Sequence, residues 1–175
     1  MNDLSAAFGE AFRLIVTLDP DLGEIIVLSL EVSASAVALA ALVGFPLGAL
    51  LAVGRFRGRL GVIVILNALM GMPPVVVGLL VYLMLSRSGP LGVLGLLYTP
   101  TAMVIAQFVL VVPIIAAISR QTLEALRDEY EEQLRVFGLS ATQMVPTLLW
   151  DGRYSLMTAL LAGFGRAIAE VEIGR

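Results

Sequence analysis

Twenty-two consecutive residues, Val32 to Val53, carry no charge. As a helix they reach about 33 Å at ~1.5 Å per residue, enough to cross a hydrocarbon core of roughly 30 Å. The run sits in a longer apolar segment, 25–53, interrupted by Glu31. A chain with such a segment has lipid as part of its solvent, and composition extends the point to the rest. Of the 175 residues 59% are hydrophobic and 14% charged, against about 25% charged in an ordinary soluble domain. The fold class read from this is all-α, a polytopic bundle of transmembrane helices.

Three more apolar segments follow: 60–85 with Asn67 and Pro73-Pro74 inside, 101–118 with Gln107 and Pro113, and 154–171 with Arg166 and Glu170. The last is near the lower length limit for a span. A turn-rich loop, Ser86 to Pro100, separates the second from the third. Residues 1–23 read as a separate N-terminal piece, with a short amphipathic helix over 4–18 broken by Asp19-Pro20-Asp21. It lacks the basic start and cleavage pattern of a secretory signal. Residues 24–175 form the transmembrane domain. Arg55, Arg57, Arg59, Arg120, Arg127, Arg135 and Arg153 fall on one side of these spans, Arg13 and Arg87 on the other. Positive residues stay cytoplasmic, so a multi-pass protein of the inner (plasma) membrane is expected, with its N-terminus outside.

There is no Cys and no His. Disulfides, thiol nucleophiles, Cys/His zinc sites and histidine bases are therefore excluded. No Gly-rich phosphate loop, nucleophile–base pair or metal-ligand cluster is present, so no cofactor and no enzymatic activity are expected. No basic patch interleaved with aromatics points to nucleic acid. An intramembrane enzyme with paired aspartates has no support either, since no Asp lies within a span.

The polar stretch 120–152 is unlike a plain linker. Arg120 to Arg135 is rich in charge, with Leu123, Leu126, Tyr130 and Leu134 at helical spacing. Gly138 interrupts it, and Ser140 is placed to cap a second helix over 141–149. Two short helices joined at Gly138 would lie on the membrane surface and offer an apolar face to a partner. The run Glu132-Gln133-Leu134-Arg135-Val136-Phe137-Gly138 resembles the EAA loop of ABC importer permeases. Glu132 and Gly138 match, Gln133 and Leu134 replace the two alanines, and Leu139-Ser140-Ala141 continues the likeness. Trp150-Asp151 stands where a Leu-Pro pair is usual. The runs 85–92, 98–103, 150–154 and 163–171 look like the tungstate-type permeases, relatives of the molybdate permeases, and the likeness extends from Leu28 to Val171.

The resemblance implies a translocation subunit of an importer. Two permease copies would form the path, two cytoplasmic ATPase subunits would each seat an EAA-like loop, and a periplasmic binding protein would deliver an oxyanion, most simply tungstate. Glu132, Arg135, Gly138, Leu139, Ser140 and Ala141 are then the ATPase-coupling residues. A permease for molybdate, sulfate or another solute, and a membrane scaffold without transport, remain open. So do the roles of the polar residues within the spans. Asn67 and Gln107 are either hydrogen-bonding glue between helices or path lining. Pro73 and Pro74 make either a packing kink or a gate. Arg166 and Glu170, four apart, pair with each other or meet the solute. The resemblance also leads one to expect glycine after Val171 and a further span, where this sequence has Glu172-Ile173-Gly174-Arg175; a truncated copy is expected on that ground.

Overall fold

The computed structural model describes residues 20–136, Gly138 and 141–171. The expected helix over 4–18 lies outside them. Among the described residues the regular elements are all helical: α1 (Pro20–Val53), α2 (Arg59–Met70), α3 (Pro74–Leu85), a 3-10 turn (Gly92–Leu94), α4 (Pro100–Val136), α5 (Ala141–Asp151) and α6 (Arg153–Val171).

The bundle is built on α1 and α4, which run parallel. Small residues let their backbones meet. A Cβ on Gly44 would lie 2.9 Å from Ile115 Cγ2, and one on Gly48 2.8 Å from Ser119 Cβ and 2.9 Å from the Ala116 carbonyl oxygen. Lipid is as apolar as leucine, so helices associate in it through close packing, which small side chains at the seam permit. Val37 and Ala40 of α1, Val111 and Ile115 of α4, and Ala167 of α6 form the buried centre of this seam.

Helix α6 runs antiparallel to α4. Gly152 at its start lies against Thr122 and Leu126, and Gly163 against Val111 and Ile115. At the far end Gln107 Nε2 donates to the Ala167 carbonyl at 3.2 Å. α6 therefore climbs beside the apolar half of α4.

Two parallel neighbours need a return between them, and α2 and α3 supply it. The second apolar segment is not one straight helix. α2 and α3, of 12 residues each, are bent by 103° across Gly71-Met72-Pro73. Pro73 is extended, with φ −61° and ψ 136°, and Pro74 opens α3. Two successive residues without N–H remove two helical hydrogen bonds, and each proline disfavours helix in the residue before it. Two legs of about 18 Å bent this sharply advance only about 22 Å, short of a hydrocarbon core. By length and composition two helices, α1 and α4, are able to cross a membrane, or three spans if the bent pair counts as one.

The third segment also differs from expectation. It does not end at Ile118. α4 continues unbroken for 37 residues, about 55 Å, so that the apolar span and the charged stretch from Arg120 onward are one rod. Pro113 lies inside it and is buried.

Because Gly48 faces backbone as well as side chain, Gly48→Val is expected to cost about 1–3 kcal/mol through overpacking. A Cβ added at Gly78 on α3 would meet nothing within 4 Å, and Gly78→Val is expected to be neutral. Thermal unfolding of the two variants in detergent, side by side, measures the difference.

Candidate functional site

At the arginine-rich end three carbonyls in the last turn of α1 are met one by one. Gly54 N–H donates to the Leu50 carbonyl at 2.8 Å. Arg59 Nε donates to the Leu51 carbonyl at 2.7 Å, and Arg127 Nη1 to the Ala52 carbonyl at 3.0 Å. A helix C-terminus carries partial negative charge and orphan acceptors, so two guanidinium groups satisfy both needs. Glu124 then lies between Arg59, which it accepts on Oε1, and Arg120, which it accepts on Oε2. These three side chains are partly buried, from 13% to 31% exposed. One carboxylate thus joins the start of α2 to the point where α4 leaves its apolar half.

Beneath this network α5 folds back onto α4. Met144 and Leu148 pack with Ala49, Ala52, Val53 and Leu123, and Leu126, Tyr130, Val145 and Leu149 close around them. The turn into α6 has no room for a side chain at Gly152, where a Cβ would lie 2.9 Å from Leu126 Cδ1 and 3.0 Å from the Leu148 carbonyl oxygen. This corrects the expected apolar face. Leu123, Leu126 and Tyr130 are not offered to a partner, because α5 of the same chain covers them. Of the expected pair of short helices, only the second is short, 11 residues from Ala141 to Asp151.

The tip stays open to a partner, as does the outer face of α5, where Gln143, Pro146 and Thr147 are exposed. Glu132, Gln133 and Val136 are exposed, and Gly138 has φ +70°, a left-handed conformation that a side chain makes costly. Of the other coupling candidates, Ala141 opens α5, Arg135 is placed on the last turn of α4 by its backbone, and Leu139 and Ser140 lie outside the described residues.

The pathway candidates fall into two groups on different faces of α4. Gln107 and the Arg166–Ala167 turn come together through the hydrogen bond already given. Gln107 is 5% exposed, and its Oε1 has no partner among the described residues, like the buried hydroxyls of Ser33 and Ser119. Arg166 is half-buried and does have an interaction partner; Glu170 is placed by its backbone one turn further on. Pro73 and Pro74 belong instead to the elbow beside the cluster of Met72, Val77, Val81, Leu85 and Leu110. Asn67 does not act as glue within the chain, since it is exposed.

Sequence reasoning missed the Arg59–Glu124 and Arg127–Ala52 contacts. The Arg120–Glu124 spacing of four was a visible signal. Partners 65 and 75 residues apart leave none in a single sequence.

A family model described as "Binding-protein-dependent transport system inner membrane component" matches residues 44–170. The chain belongs to this family. The permease is a multi-pass membrane protein, and its matched region takes in the last ten residues of α1, all of α2 to α5 and all but the last residue of α6. A probable anion ABC transporter permease protein of Haloferax volcanii is 40% identical over 143 residues, 82% of this chain and 62% of that protein. The tungstate uptake system permease protein TupB of Peptoclostridium acidaminophilum is 37% identical over 171 residues, 98% of this chain and 75% of that one. The protein of the same name from Campylobacter jejuni is 32% identical over 119 residues, 68% of this chain and 50% of its own. The permease chain thus spans between half and three quarters of the length of these relatives.

Glu124→Gln keeps the shape and removes the charge that holds two arginines. The expected loss is about 1–2 kcal/mol, since the group is partly exposed, with faster amide exchange over 51–60. Arg55→Gln, at an exposed arginine with no partner among the described residues, is expected to leave both unchanged. Hydrogen exchange by mass spectrometry compares them.

Proposed function

We propose that the chain is the membrane-spanning subunit of an ABC importer that moves an oxyanion, tungstate first, into the cell. The observation that carries this reading is the likeness over 98% of the chain to a permease named for tungstate uptake, supported by a second relative of that name. The anion permease of Haloferax favours the wider class, so molybdate and sulfate are the competitors to test. In this reading the arginine-rich end is cytoplasmic and the N-terminus outside. The transmembrane domain is 24–175, with α6 crossing the membrane beside α1 and α4 and the bent α2–α3 pair forming a broken return between those two.

The chain performs no covalent chemistry and takes no cofactor; ATP is hydrolysed by partner ATPase subunits. They dock through Glu132, Arg135, Gly138, Leu139, Ser140 and Ala141. A periplasmic binding protein brings the oxyanion, and a second copy of the chain completes the path. The exposed Asn67 beside the elbow supports that second copy, since an amide against lipid is costly and one against protein or water is not. Pro73 and Pro74 form a gate. Gln107, Arg166 and Glu170 line the path, with Arg166 giving the oxyanion a weak charged step and the orphaned Gln107 Oε1 taking water.

Two measurements test this. Gly138→Val forces a β-branched side chain into the left-handed region at about 1–2 kcal/mol. Membrane insertion should persist while ATPase co-purification and tungstate import both drop at least tenfold; normal import would overturn the docking assignment. Arg166→Gln should leave ATPase binding intact and slow import; import at the wild-type rate would remove Arg166 from the path. Uptake of labelled tungstate with unlabelled molybdate or sulfate as competitor decides the solute.

A further inference from the structure

Trp150, Arg153 and Tyr154 form a cluster where α5 turns into α6. The Arg153 guanidinium carbon lies 5.0 Å from the centroid of the Trp150 ring and 4.6 Å from that of Tyr154. Its Nη1 donates to the Trp150 carbonyl at 2.7 Å. The rings are nevertheless 70% and 71% exposed. Two aromatic faces and one carbonyl hold a cation at the surface and leave it other N–H groups for an outside acceptor. Asp151, the nearest carboxylate in sequence, is exposed and makes no ion pair with it among the described residues.

What adjoins the cluster is apolar. Met157 and Leu161 follow Tyr154 at i+3 and i+7, on one face of α6, and both are exposed. This stripe runs from Tyr154 along the part of the helix that lies beside the apolar half of α4; with α6 in the membrane, as proposed above, its surroundings are hydrocarbon and its end is the headgroup layer. A second group of the same make lies at the same end. Arg55 and Arg57 flank the exposed Phe56, have no partner among the described residues, and are followed on α2 by the exposed Leu60 and Val64. Val53, two residues before Arg55, packs in one cluster with Met144 and Leu148 of α5, which places both groups at one level of the bundle.

We propose that the Trp150–Arg153–Tyr154 cluster binds the phosphate of an anionic phospholipid, with Arg55–Phe56–Arg57 as a second contact of the same kind. The lipid chains lie along the Met157–Leu161 stripe, the rings sit at the depth of the glycerol, and Arg153 takes the phosphate. The inference rests on the chain's place in the membrane and is independent of the solute it carries.

The test is native mass spectrometry of the full chain in detergent, titrated with phosphatidylglycerol or phosphatidylcholine, with sodium phosphate as a third arm. The wild type should retain phosphatidylglycerol in preference to phosphatidylcholine. Arg153→Gln should cut that preference about fivefold, the worth of one arginine at an anionic surface. Arg153→Lys should keep most of it, and Arg87→Gln, at the other end, all of it. Tyr154→Ala, at an exposed ring, gives a second variant that leaves the charge in place and should weaken retention of both lipids. Unchanged preference in Arg153→Gln overturns the proposal. Displacement of lipid by sodium phosphate alone would mean a free-anion site and overturns it too. So does self-association of the chain that buries Tyr154, which would make the stripe a protein contact.

Discussion

The structure depends on one close approach, that of α1 to α4 at Gly44 and Gly48. In water, two helices with apolar faces are driven together by the surface they hide. In a bilayer that force is absent, and contact must come from backbones lying near enough for dispersion and fit to add up. The seam of Gly44, Gly48, Ala116 and Ser119 supplies this. Everything else is arranged around it: α6 fits the groove beside Val111 and Ile115 through Gly163, α2 rests on Leu51 and Ala116 through Leu66, and the C-terminus of α1 is delivered to Arg59 and Arg127.

Prolines divide into two kinds here. Pro46 and Pro113 sit inside long helices that continue through them, because one missing N–H in the middle of a packed helix can be absorbed by its neighbours. Pro73 and Pro74 follow Gly71 and are adjacent, so the break has no helical bond to carry it across. The same residue type therefore makes a tolerated defect at Pro46, Pro113 and Pro146 of α5 and a sharp elbow at Pro73-Pro74, and the difference is local sequence.

Much of this was legible in the sequence. The apolar runs mark α1, the elbow pair and α4; the Leu123–Leu126–Tyr130 spacing marks a helix with one apolar face; and Gly138 is a glycine where the backbone is left-handed. The continuity of α4 was not legible, because a change from apolar to charged residues reads as the end of a span although helix geometry is indifferent to it. The covering of the apolar face by α5 was hidden for a related reason. A face at helical spacing states that something packs there, never what. The links of Arg59 and Arg127 to distant residues were out of reach, since charge spacing along a chain carries information only over a turn or two of helix.

One consequence follows from the length of α4. Its tight contact with Gly48, at Ser119, falls almost midway between Pro100 and Val136. The helix extends about 29 Å and 26 Å on either side of that contact, and it is also fixed to α1 at Val111, Ile115, Leu123 and Arg127. Held at so many levels, α1 and α4 form one strut, and a load on the charged end of α4 is carried into the apolar half by the pair together.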